Sequence, residues 1–488
     1  MILPMLYSDF YKVDHRRQYP EGTEFVYSNL TARGSRLSGV DHVVVFGIQY
    51  FLMDYLIRRF NDGFFKQPKE KVLKQYQRRM DTSLGAGTIT VEHIAALHDL
   101  GYLPVRVKAL PEGTLVPLRV PLLTIINTLP EFYWVTNFLE TILSNATWHP
   151  MTAATIAHQY RVLLDKYAAE TSDIPEFVQW QGHDFSMRGQ SSFEASVASG
   201  GGHLLSFTGT DTIPAIDWLE HFYGANAETE LIGGSVPATE HSVMCLGGKD
   251  TEADTYRRLI TEVYPKGIVS IVSDTWDYFE VLNTTIRGLK DVIMARDGKV
   301  VIRPDSGNPT KIICGDPEAP EGSLERKGTI QILWDIFDGT VNSKGFKQLD
   351  PHIGAIYGDS ITLDRCQAIC NGLAKNGFAS TNIVFGIGSY TYQYVTRDTF
   401  GFAIKATYGV VKGQPVELFK QPKTDNGIKN SAKGLLRVNA DLTLSESVTI
   451  EEETQGLLET VFEDGVMVKT YTLQEIRTRL AGGTLVSK

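Results

Sequence analysis

The chain has 488 residues, of which 42% are hydrophobic and 21% charged, a composition typical of globular proteins with more than one core. Its formal charge of −10 at pH 7 argues against a general surface for nucleic acid or anionic membranes. The four cysteines are too few for a disulfide framework, and no apolar run approaches the ~20 residues that span a bilayer. We therefore expect a cytoplasmic protein with no signal peptide and no membrane segment.

Residues 1–150 mix strand-like and helix-like segments, which is typical of an α+β domain with its own core. Strands are predicted where short runs are apolar, and helices where apolar residues recur every three to four positions. The predicted strands cover residues 25–29, 43–46 and 105–109, and the predicted helices cover residues 51–60 and 132–144.

From residue 151 onward, short apolar runs alternate with helical segments. Sustained alternation of this kind favours a parallel α/β fold. We predict an irregular (β/α) barrel of about seven parallel strands, in a domain that spans residues 151–399. The runs cover residues 177–181, 204–207, 235–238, 268–272, 300–302, 353–357 and 383–385, and the helices cover residues 153–169, 212–223, 251–264, 276–289 and 362–375.

The alternation stops after residue 400. A Lys-rich stretch with several glycines leads to a predicted strand at 461–471 and a predicted helix at 473–480. We expect residues 400–488 to complete the α+β domain that residues 1–150 begin.

Each apolar run of the barrel region ends at a cluster of Gly, Asp, Arg or His. In closed or doubly wound α/β sheets, ligands bind where the carboxyl ends of the strands meet loops and helix N-termini. The residues at these ends are therefore the first candidates for function.

The strongest local signal is the segment from Arg303 to Pro309, which follows the run at 300–302. Pro304 stiffens the strand exit, and Gly307 permits a positive φ or the close approach of a ligand. Arg303 can present a flat donor face to a planar ring, and Asp305 can accept from sugar hydroxyls or hold a metal ion. An Arg–Asp ion pair that closes the end of the barrel is the alternative.

Two glycine-containing turns follow the last two runs: Gly358-Asp359, and the segment from Gly386 to Ser389. Backbone amides exposed by glycines can bind an anion, so the two turns together predict a phosphate site. Either turn alone has a simpler explanation as a tight turn. Neither fits the phosphate loop of nucleotide hydrolases, which requires Gly-Lys-Ser/Thr.

A basic run follows these turns within an otherwise acidic protein. It could neutralise a pyrophosphate, although a solvated loop is the usual role of such runs. Its members are Arg397, Lys405, Lys412, Lys420, Lys423, Lys429 and Lys433.

His241 follows the third run and Asp274 the fourth. If the strands are neighbours, the carboxylate can orient the imidazole and raise its basicity, as suits a nucleophile or an acid–base group, although a structural histidine is the more common case.

Phe185 and Arg188 would place an aromatic face and a guanidinium at the same edge, suited to a flat heterocycle, unless Phe185 is a core residue. His183-Asp184 lacks the further histidines that a metal site would need.

With these residues assembled, the chain resembles the nicotinamide phosphoribosyltransferases, type II phosphoribosyltransferases related to nicotinate phosphoribosyltransferase. The resemblance extends almost from end to end, and the order and spacing of the motifs agree. The segments that carry it are Asp9-Phe10-Tyr11-Lys12-Val13 with His15 and Gln18-Tyr19-Pro20, Pro130-Glu131-Phe132-Tyr133-Trp134, His183 to Gly189, Gly209-Thr210-Asp211-Thr212, Ser235 to Ala238 with Glu240-His241-Ser242, Val272-Ser273-Asp274, and Arg303 to Pro309.

The resemblance implies a set of binding roles. Nicotinamide would stack between Phe185 and Tyr11 of a second subunit, with Arg188 and Arg303 around it, and Asp211 would accept from the amide N–H. A carboxylate at this position would accept a hydrogen bond from the amide of nicotinamide and would repel the negative charge of nicotinate. The residues implied for ribose and phosphate are Asp305, Gly358, Asp359, Gly388 and Ser389, and those implied for pyrophosphate, from the other subunit, are Arg33, Arg397 and Lys405.

The implied reaction transfers the phosphoribosyl group of phosphoribosyl pyrophosphate to nicotinamide, giving nicotinamide mononucleotide and pyrophosphate in NAD salvage. Catalysis would involve His241, Asp274 and Asp305, with His241 phosphorylated by ATP, a facultative co-substrate. Mg²⁺ would be held mainly by the pyrophosphate, with Asp305 as a further ligand. The resemblance also implies a homodimer with shared active sites.

Three departures from the family pattern affect the details. The Gly-Ser-Gly-Gly loop of the family is Gly386-Ile387-Gly388-Ser389 here, a family serine is Ala403, and a Gly-Tyr pair is Ser186-Met187. These changes bear on phosphate contacts and ATP coupling rather than on the class of reaction.

Two other functions remain open at this stage. Nicotinate phosphoribosyltransferase has the same fold, but Asp211 argues against it. A non-catalytic ligand-binding protein on the same scaffold is disfavoured because several candidate catalytic and binding residues occur together.

Overall fold

The computed structural model describes residues 2–420 and 431–482. The chain forms two compact units. Unit 1 comprises Met1–Thr155, Trp218–Ala225 and Val395–Lys488, and unit 2 comprises Ile156–Asp217 and Asn226–Tyr394. Across the described ranges, no helix combines the length and the apolar character needed to cross a membrane.

The strands in the described ranges are β1 (Thr23–Thr31), β2 (His42–Val44), β3 (Val105–Ala109), β4 (Leu115–Pro117), β5 (Pro121–Asn127), β6 (Gly182–Asp184), β7 (Gly209–Thr210), β8 (Val269–Val272), β9 (Val300–Arg303), β10 (Gly339–Val341), β11 (Lys347–Leu349), β12 (Ile353–Tyr357), β13 (Ile383–Ile387), β14 (Ala403–Val411), β15 (Gln414–Glu417), β16 (Leu435–Val438), β17 (Leu444–Val448), β18 (Glu459–Glu463) and β19 (Val466–Met467).

The α-helices in the same ranges are α1 (His15–Gln18), α2 (Ile48–Tyr50), α3 (Lys69–Leu84), α4 (Glu92–Leu100), α5 (Val135–Phe138), α6 (Glu140–Thr171), α7 (Val178–Gln181), α8 (Phe193–His203), α9 (Ile213–Tyr223), α10 (His241–Gly247), α11 (Glu252–Arg258), α12 (Tyr278–Glu280), α13 (Lys290–Met294), α14 (Pro309–Cys314), α15 (Leu324–Phe337), α16 (Leu363–Lys375), α17 (Ser389–Tyr392), α18 (Ile450–Thr454) and α19 (Leu473–Leu480). Segments with π-helical bonding cover Phe51–Arg59, Asn61–Phe65, Leu259–Val263 and Val281–Ile286.

Unit 1 is built on an antiparallel sheet with the strand order β15-β14-β1-β5-β3-β18-β19. The N-terminal strand β1 lies between β14 and β5, so strands from both ends of the chain share one sheet. On β3, residues alternate between buried and half-buried, as expected for a strand with one face against the core. The predicted strand at 105–109 and the predicted helix at 473–480 are confirmed, and β1 is longer than predicted.

Unit 2 contains a parallel half-barrel with the strand order β7-β6-β13-β12-β9-β8. All four residues of β8 are buried, which is typical of strands covered on both faces. The α/β fold is therefore confirmed, with six hydrogen-bonded parallel strands rather than about seven.

The segment at 235–238, predicted to be a strand, instead bridges the two edges of the half-barrel. Gly234 pairs with Gly209 at the edge of β7, and Ala238 pairs with Ser270 in β8, each as an isolated parallel bridge. Pro237 has no N–H to donate, so a continuous ladder cannot form here.

Two other predicted strands are wrong. Residues 177–181 are helical, because Pro175 opens a helical turn that leads into α7. Residues 204–207 complete the turn after α8, where the N–H of Leu204 donates to the carbonyl of Gly200 at 3.0 Å. A short apolar run can be either a strand or a buried helical turn, and its periodicity does not distinguish the two.

Candidate active site

Residues that follow the parallel strands meet at one edge of the sheet. Phe185 follows β6, Asp211 follows β7, and Asp359 lies shortly after β12. These strands belong to one parallel sheet, so their carboxyl ends face the same side. They open onto a cavity of about 990 Å³. The predicted site residues that line it are Phe185, Arg188, Asp211, His241, Arg303, Asp305, Gly358, Asp359, Gly388 and Ser389.

The interior of the half-barrel holds a second cavity, of about 490 Å³. Phe185, Asp211 and Arg303 line both cavities and therefore form the boundary between them. His183 and Ser235 line the interior cavity.

The ring of Phe185 rests on two glycines. A Cβ at Gly358 would lie 2.9 Å from the ring, and a Cβ at Gly386 would collide with it. The ring of His183 meets Phe185 edge-on, with centroids 5.0 Å apart. These contacts fix an aromatic face at the boundary of the cavity, and both glycines are needed because any side chain would displace the ring.

Asp211 is held by two side chains that bond to the same carboxylate oxygen. Its Oδ1 lies 2.9 Å from Nε2 of His183 and accepts from the hydroxyl of Ser235 at 2.6 Å. Partial burial alone would raise the pKa of Asp211, but the hydrogen bonds from His183 and Ser235 and the charge of Arg303 lower it overall. Asp211 is therefore kept as an oriented anion whose Oδ2 is not used by these bonds.

Two arginines differ in how firmly they are held. Nη2 of Arg303 donates to the carbonyl of Thr239 at 2.8 Å. Its Nε is buried, and no hydrogen-bond partner for it exists among the described residues. Arg188 lies in the exposed turn Met187–Gly189. Arg303 thus provides a guanidinium anchored to the backbone, and Arg188 an exposed one.

Asp274 connects the loop after β9 to His241. Its Oδ2 accepts from the N–H of Asp305 at 2.9 Å and from the hydroxyl of Ser306 at 2.6 Å. Its Oδ1 lies 3.8 Å from Nε2 of His241, within ion-pair range but longer than a hydrogen bond. The other ring nitrogen of His241 lies 3.3 Å from Oγ1 of Thr275. Asp274 therefore fixes the Asp305 loop directly and faces the half-exposed imidazole.

Asp305 lies in a cluster of carboxylates. Burial raises its pKa, the charges of Asp274 and Asp359 raise it further, and Arg303 and His241 oppose the shift without cancelling it. The ionised form of Asp305 is therefore disfavoured in the free protein, and a positively charged ligand beside it would stabilise that form.

The two glycine turns both reach the cavity. Among the described residues other than its two chain neighbours, no atom lies within 4 Å of a Cβ built at Gly388, so a ligand can approach the backbone there. A Cβ at Gly189 would collide with the Ser389 side chain, so that turn packs closely against Ser389.

The residues expected to come from a second subunit all lie in unit 1. Tyr11 is 61% exposed. Nε of Arg33 donates to the carbonyl of Gly401 at 3.0 Å, and Arg397 is exposed. Partial burial lowers the pKa of Lys405. Within the predicted basic run, Lys423 and Lys429 lie outside the described residues.

Comparison with known proteins identifies the family. Residues 4–105 match the N-terminal domain of nicotinamide phosphoribosyltransferase, and residues 180–466 match the nicotinate phosphoribosyltransferase (NAPRTase) family. The nicotinamide phosphoribosyltransferase of Acinetobacter baylyi is 55% identical over 98% of this chain and 97% of its own. The chain belongs to the nicotinamide phosphoribosyltransferase family.

Two further members of this family are less similar to the chain. The nicotinamide phosphoribosyltransferase of Xanthomonas campestris pv. campestris is 33% identical, with 97% of each chain covered. That of Mycoplasma pneumoniae is 36% identical over 86% of this chain and 92% of its own.

Solved structures support the fold alone. Human nicotinic acid phosphoribosyltransferase aligns with a TM-score of 0.57 at 14% identity, covering 98% of this chain and 93% of that one. Nicotinate-nucleotide pyrophosphorylase from Pyrococcus furiosus aligns with a TM-score of 0.56 at 14% identity, covering 98% and 95%.

Sequence reasoning missed the contact between His183 and Asp211, although both residues were noted. The signal was the register of two neighbouring strands, in which His183 lies opposite Gly209. It also missed Ser235, and a pair of exposed tyrosines, Tyr390 and Tyr394, that line the cavity. Ser389, where this chain departs from the glycine-rich loop of the nicotinamide phosphoribosyltransferases, lies directly before Tyr390.

Proposed function

We propose that this protein transfers the phosphoribosyl group of phosphoribosyl pyrophosphate to nicotinamide, giving nicotinamide mononucleotide and pyrophosphate in cytoplasmic NAD salvage. The family membership supports this activity. The single observation that carries it is one cavity that combines an aromatic face, an oriented carboxylate and two glycine turns at the ends of parallel strands.

Nicotinamide stacks on Phe185, and its amide N–H donates to Asp211. Because the His183 and Ser235 bonds use Oδ1 of Asp211, its Oδ2 remains for the substrate. Arg188 and Arg303 contact the ring and the carboxamide oxygen. Nicotinate would place its negative charge beside the Asp211 anion, which disfavours it.

Phosphoribosyl pyrophosphate lies beside this ring. Asp305 and Asp359 accept from the ribose hydroxyls, and the backbone at Gly358, Gly388 and Ser389 binds the 5′-phosphate. The pyridine nitrogen attacks the anomeric carbon, the bond from that carbon to the pyrophosphate oxygen breaks, and pyrophosphate leaves with both electrons. The nucleophile is already neutral, so catalysis depends on positioning and on charge stabilisation, with Asp305 facing the cationic sugar of the transition state.

Mg²⁺ fits this site only when it is bound together with the pyrophosphate. Among residues 2–420 and 431–482, no group of three or more His, Cys, Asp or Glu side chains is arranged to hold a metal ion. Asp305 supplies the hard oxygen donor that Mg²⁺ prefers, and the pyrophosphate oxygens would supply others. Bound there, Mg²⁺ would neutralise charge on the leaving group.

ATP acts at the same cavity as a facultative co-substrate. An imidazole nitrogen of His241 takes the terminal phosphoryl group, so a P–N bond forms, a P–O bond breaks and ADP leaves; water later cleaves the P–N bond. The side chain of His241 is 48% exposed, whereas that of Asp274 is 6% exposed. The buried carboxylate therefore faces an accessible imidazole and favours its positive charge during transfer.

We further place Tyr11, Arg33, Arg397 and Lys405 at the active site of a second copy, in a homodimer with shared sites. The exposed ring of Tyr11 and the basic side chains suit a stacked pyridine and a pyrophosphate. The two units correspond in this proposal to the α+β domain and the barrel domain, and the segment 234–238 completes the barrel as its seventh member.

The test is mass-spectrometric detection of the mononucleotide from nicotinamide and phosphoribosyl pyrophosphate, with and without ATP. We expect product with Mg²⁺ alone and more product with ATP. No product under either condition, with protein that is folded by circular dichroism, would refute the proposed activity.

A further inference from the structure

Two large aromatic side chains stand exposed at the wall of the candidate active site. The side chains of Tyr390 and Tyr394 line the cavity, and they are 52% and 80% exposed. Their rings are nearly parallel, with centroids 5.3 Å apart and 14° between the planes. Exposed aromatic surface that is contiguous and borders a cavity marks a binding site more often than an isolated exposed residue does.

The backbone that carries these rings is firmly anchored. Between them, Thr391 and Tyr392 are buried: the Thr391 hydroxyl donates to the carbonyl of Ile361 at 2.7 Å, and the Tyr392 hydroxyl lies 2.7 Å from Nδ1 of His203. The two exposed rings are thus presented by a segment that the buried Thr391 and Tyr392 anchor, and Gln393, which lines the cavity, accepts from the N–H of Ser191 at 2.8 Å. Such preorganisation lowers the entropy cost of binding a flat ligand.

The proposed substrates leave this aromatic surface unused. Nicotinamide has an aromatic contact of its own at Phe185, where Asp211 meets its amide. Phosphoribosyl pyrophosphate carries no aromatic ring. Of the three ligands of the proposed function, only ATP brings a further flat heterocycle.

The position of the tyrosines suits a base that is attached to phosphates. Tyr390 directly follows Ser389, which we assign to phosphate binding, and His241 lines the same cavity. A nucleotide with its phosphates between Ser389 and His241 would therefore direct its base toward the tyrosines.

We propose that Tyr390 and Tyr394 form the surface on which the adenine of ATP stacks when ATP acts at this site, an inference that rests on the proposed function. The base extends the existing two-ring stack over the exposed ring of Tyr394. Stacking of one base on an aromatic side chain changes binding by about 10-fold or more when the ring is removed.

The experiment compares the binding of Mg-ATP and of inorganic tripolyphosphate, which has no base, to the full-length protein by isothermal titration calorimetry. The variants are Tyr394→Ala and Tyr390→Ala, with Tyr394→Trp to restore an aromatic ring. Val341→Ala, at a residue 63% exposed in β10 that does not line the cavity, is the matched control. We expect the two alanine variants to bind ATP about 10-fold more weakly and tripolyphosphate as wild type does, while Tyr394→Trp binds ATP at least as tightly as wild type.

Three results would overturn the inference: unchanged ATP affinity in both alanine variants, equal weakening of ATP and tripolyphosphate, or a change in molar mass by light scattering that assigns the tyrosines to subunit assembly. The proposed function is tested separately, by measuring mononucleotide formation with wild-type protein. If wild type forms the product while the alanine variants bind ATP normally, only the stacking surface is refuted.

Discussion

At the scale of single residues, the structure explains how a carboxylate can select an amide. Asp211 has one oxygen fixed by His183 and Ser235, so its other oxygen has a defined direction. The same bonds lower its pKa, against the effect of burial. In the proposed function, this charged acceptor is the feature that separates nicotinamide from nicotinate.

Asp211→Ser is therefore expected to narrow the preference for nicotinamide over nicotinate, by about 10- to 100-fold in the ratio of kcat/KM, because a charged hydrogen bond is worth ~1.5–3 kcal/mol. The measurement is initial velocity with each substrate. Asp217→Ser, at an exposed carboxylate of α9 that does not line the cavity, is the control. A variant ratio equal to that of wild type would remove Asp211 from the selectivity argument.

Asp305 gives a pH prediction. Its pKa is raised in the folded protein by burial and by Asp274 and Asp359. A carboxyl group with a raised folded pKa stabilises the fold below its unfolded pKa, and this contribution is lost as the pH rises through the folded pKa. Ionised Asp305 thus costs stability at pH 7, so Asp305→Asn should raise Tm there, and the gain should shrink as the pH falls toward 4, near the ordinary pKa of Asp.

The same variant should lose activity by about 100-fold or more, since the proposed function places this charge opposite the cationic sugar of the transition state. Scanning calorimetry from pH 4 to 8 and the assay for mononucleotide provide the two measurements, with Asp297→Asn at an exposed position as control. A variant less stable than wild type at pH 7, or one with full activity, would contradict this role.

At the scale of elements, the parallel strands place the site, and glycines give it its shape. The carboxyl ends of β6, β7, β9, β12 and β13 supply the residues of one cavity. Gly358 and Gly386 leave room for the Phe185 ring, because a Cβ at either place would meet that ring. The aromatic face to which we assign nicotinamide therefore depends on residues of two neighbouring strands.

Gly386→Ala should displace the Phe185 ring and raise the KM for nicotinamide about 10-fold, with a smaller change in the KM for phosphoribosyl pyrophosphate. Gly288→Ala is the matched control, because a Cβ there would meet no described residue within 4 Å. Steady-state kinetics with each substrate varied in turn gives both constants. Equal changes in the two KM values would show that Gly386 supports the fold in general and not the ring.

The meeting of the candidate residues at one cavity could be predicted from sequence, because parallel strands bring their ends together whatever their exact lengths. Strand ends at Arg303 and Asp359 were found from apolar runs and the polar residues after them. Residues 177–181 and 204–207 were mistaken for strands because a short run of this kind is compatible with both a strand and a helical turn, and its periodicity does not distinguish the two. The bond between His183 and Asp211 depended on the register of β6 and β7, which no single segment specifies.

At the scale of the whole molecule, the account requires residues from both units. Phe185 and Asp211 belong to unit 2, whereas Tyr11 and Arg33 belong to unit 1. We assign the unit 1 residues to the site of a second copy, so each active site would be completed only by dimerisation.

Mixing Tyr11→Ala with Phe185→Ala protein tests this sharing. Each variant alone should be nearly inactive, but a hybrid dimer would contain one site with both wild-type residues and one with neither. At full exchange, half of the dimers are hybrids with one intact site each, so about a quarter of wild-type activity should return. Subunit exchange is verified by native mass spectrometry; exchange without recovered activity would rule out shared sites.

The most direct measurement compares kcat/KM for nicotinamide and for nicotinate with wild-type protein, phosphoribosyl pyrophosphate and Mg²⁺, following each mononucleotide by mass spectrometry. The oriented Asp211 anion predicts nicotinamide as the favoured substrate by about 100-fold or more, since the carboxylate of nicotinate would lie beside a like charge whose side chain is only 48% exposed. Equal use of both substrates, or preference for nicotinate, would contradict the account.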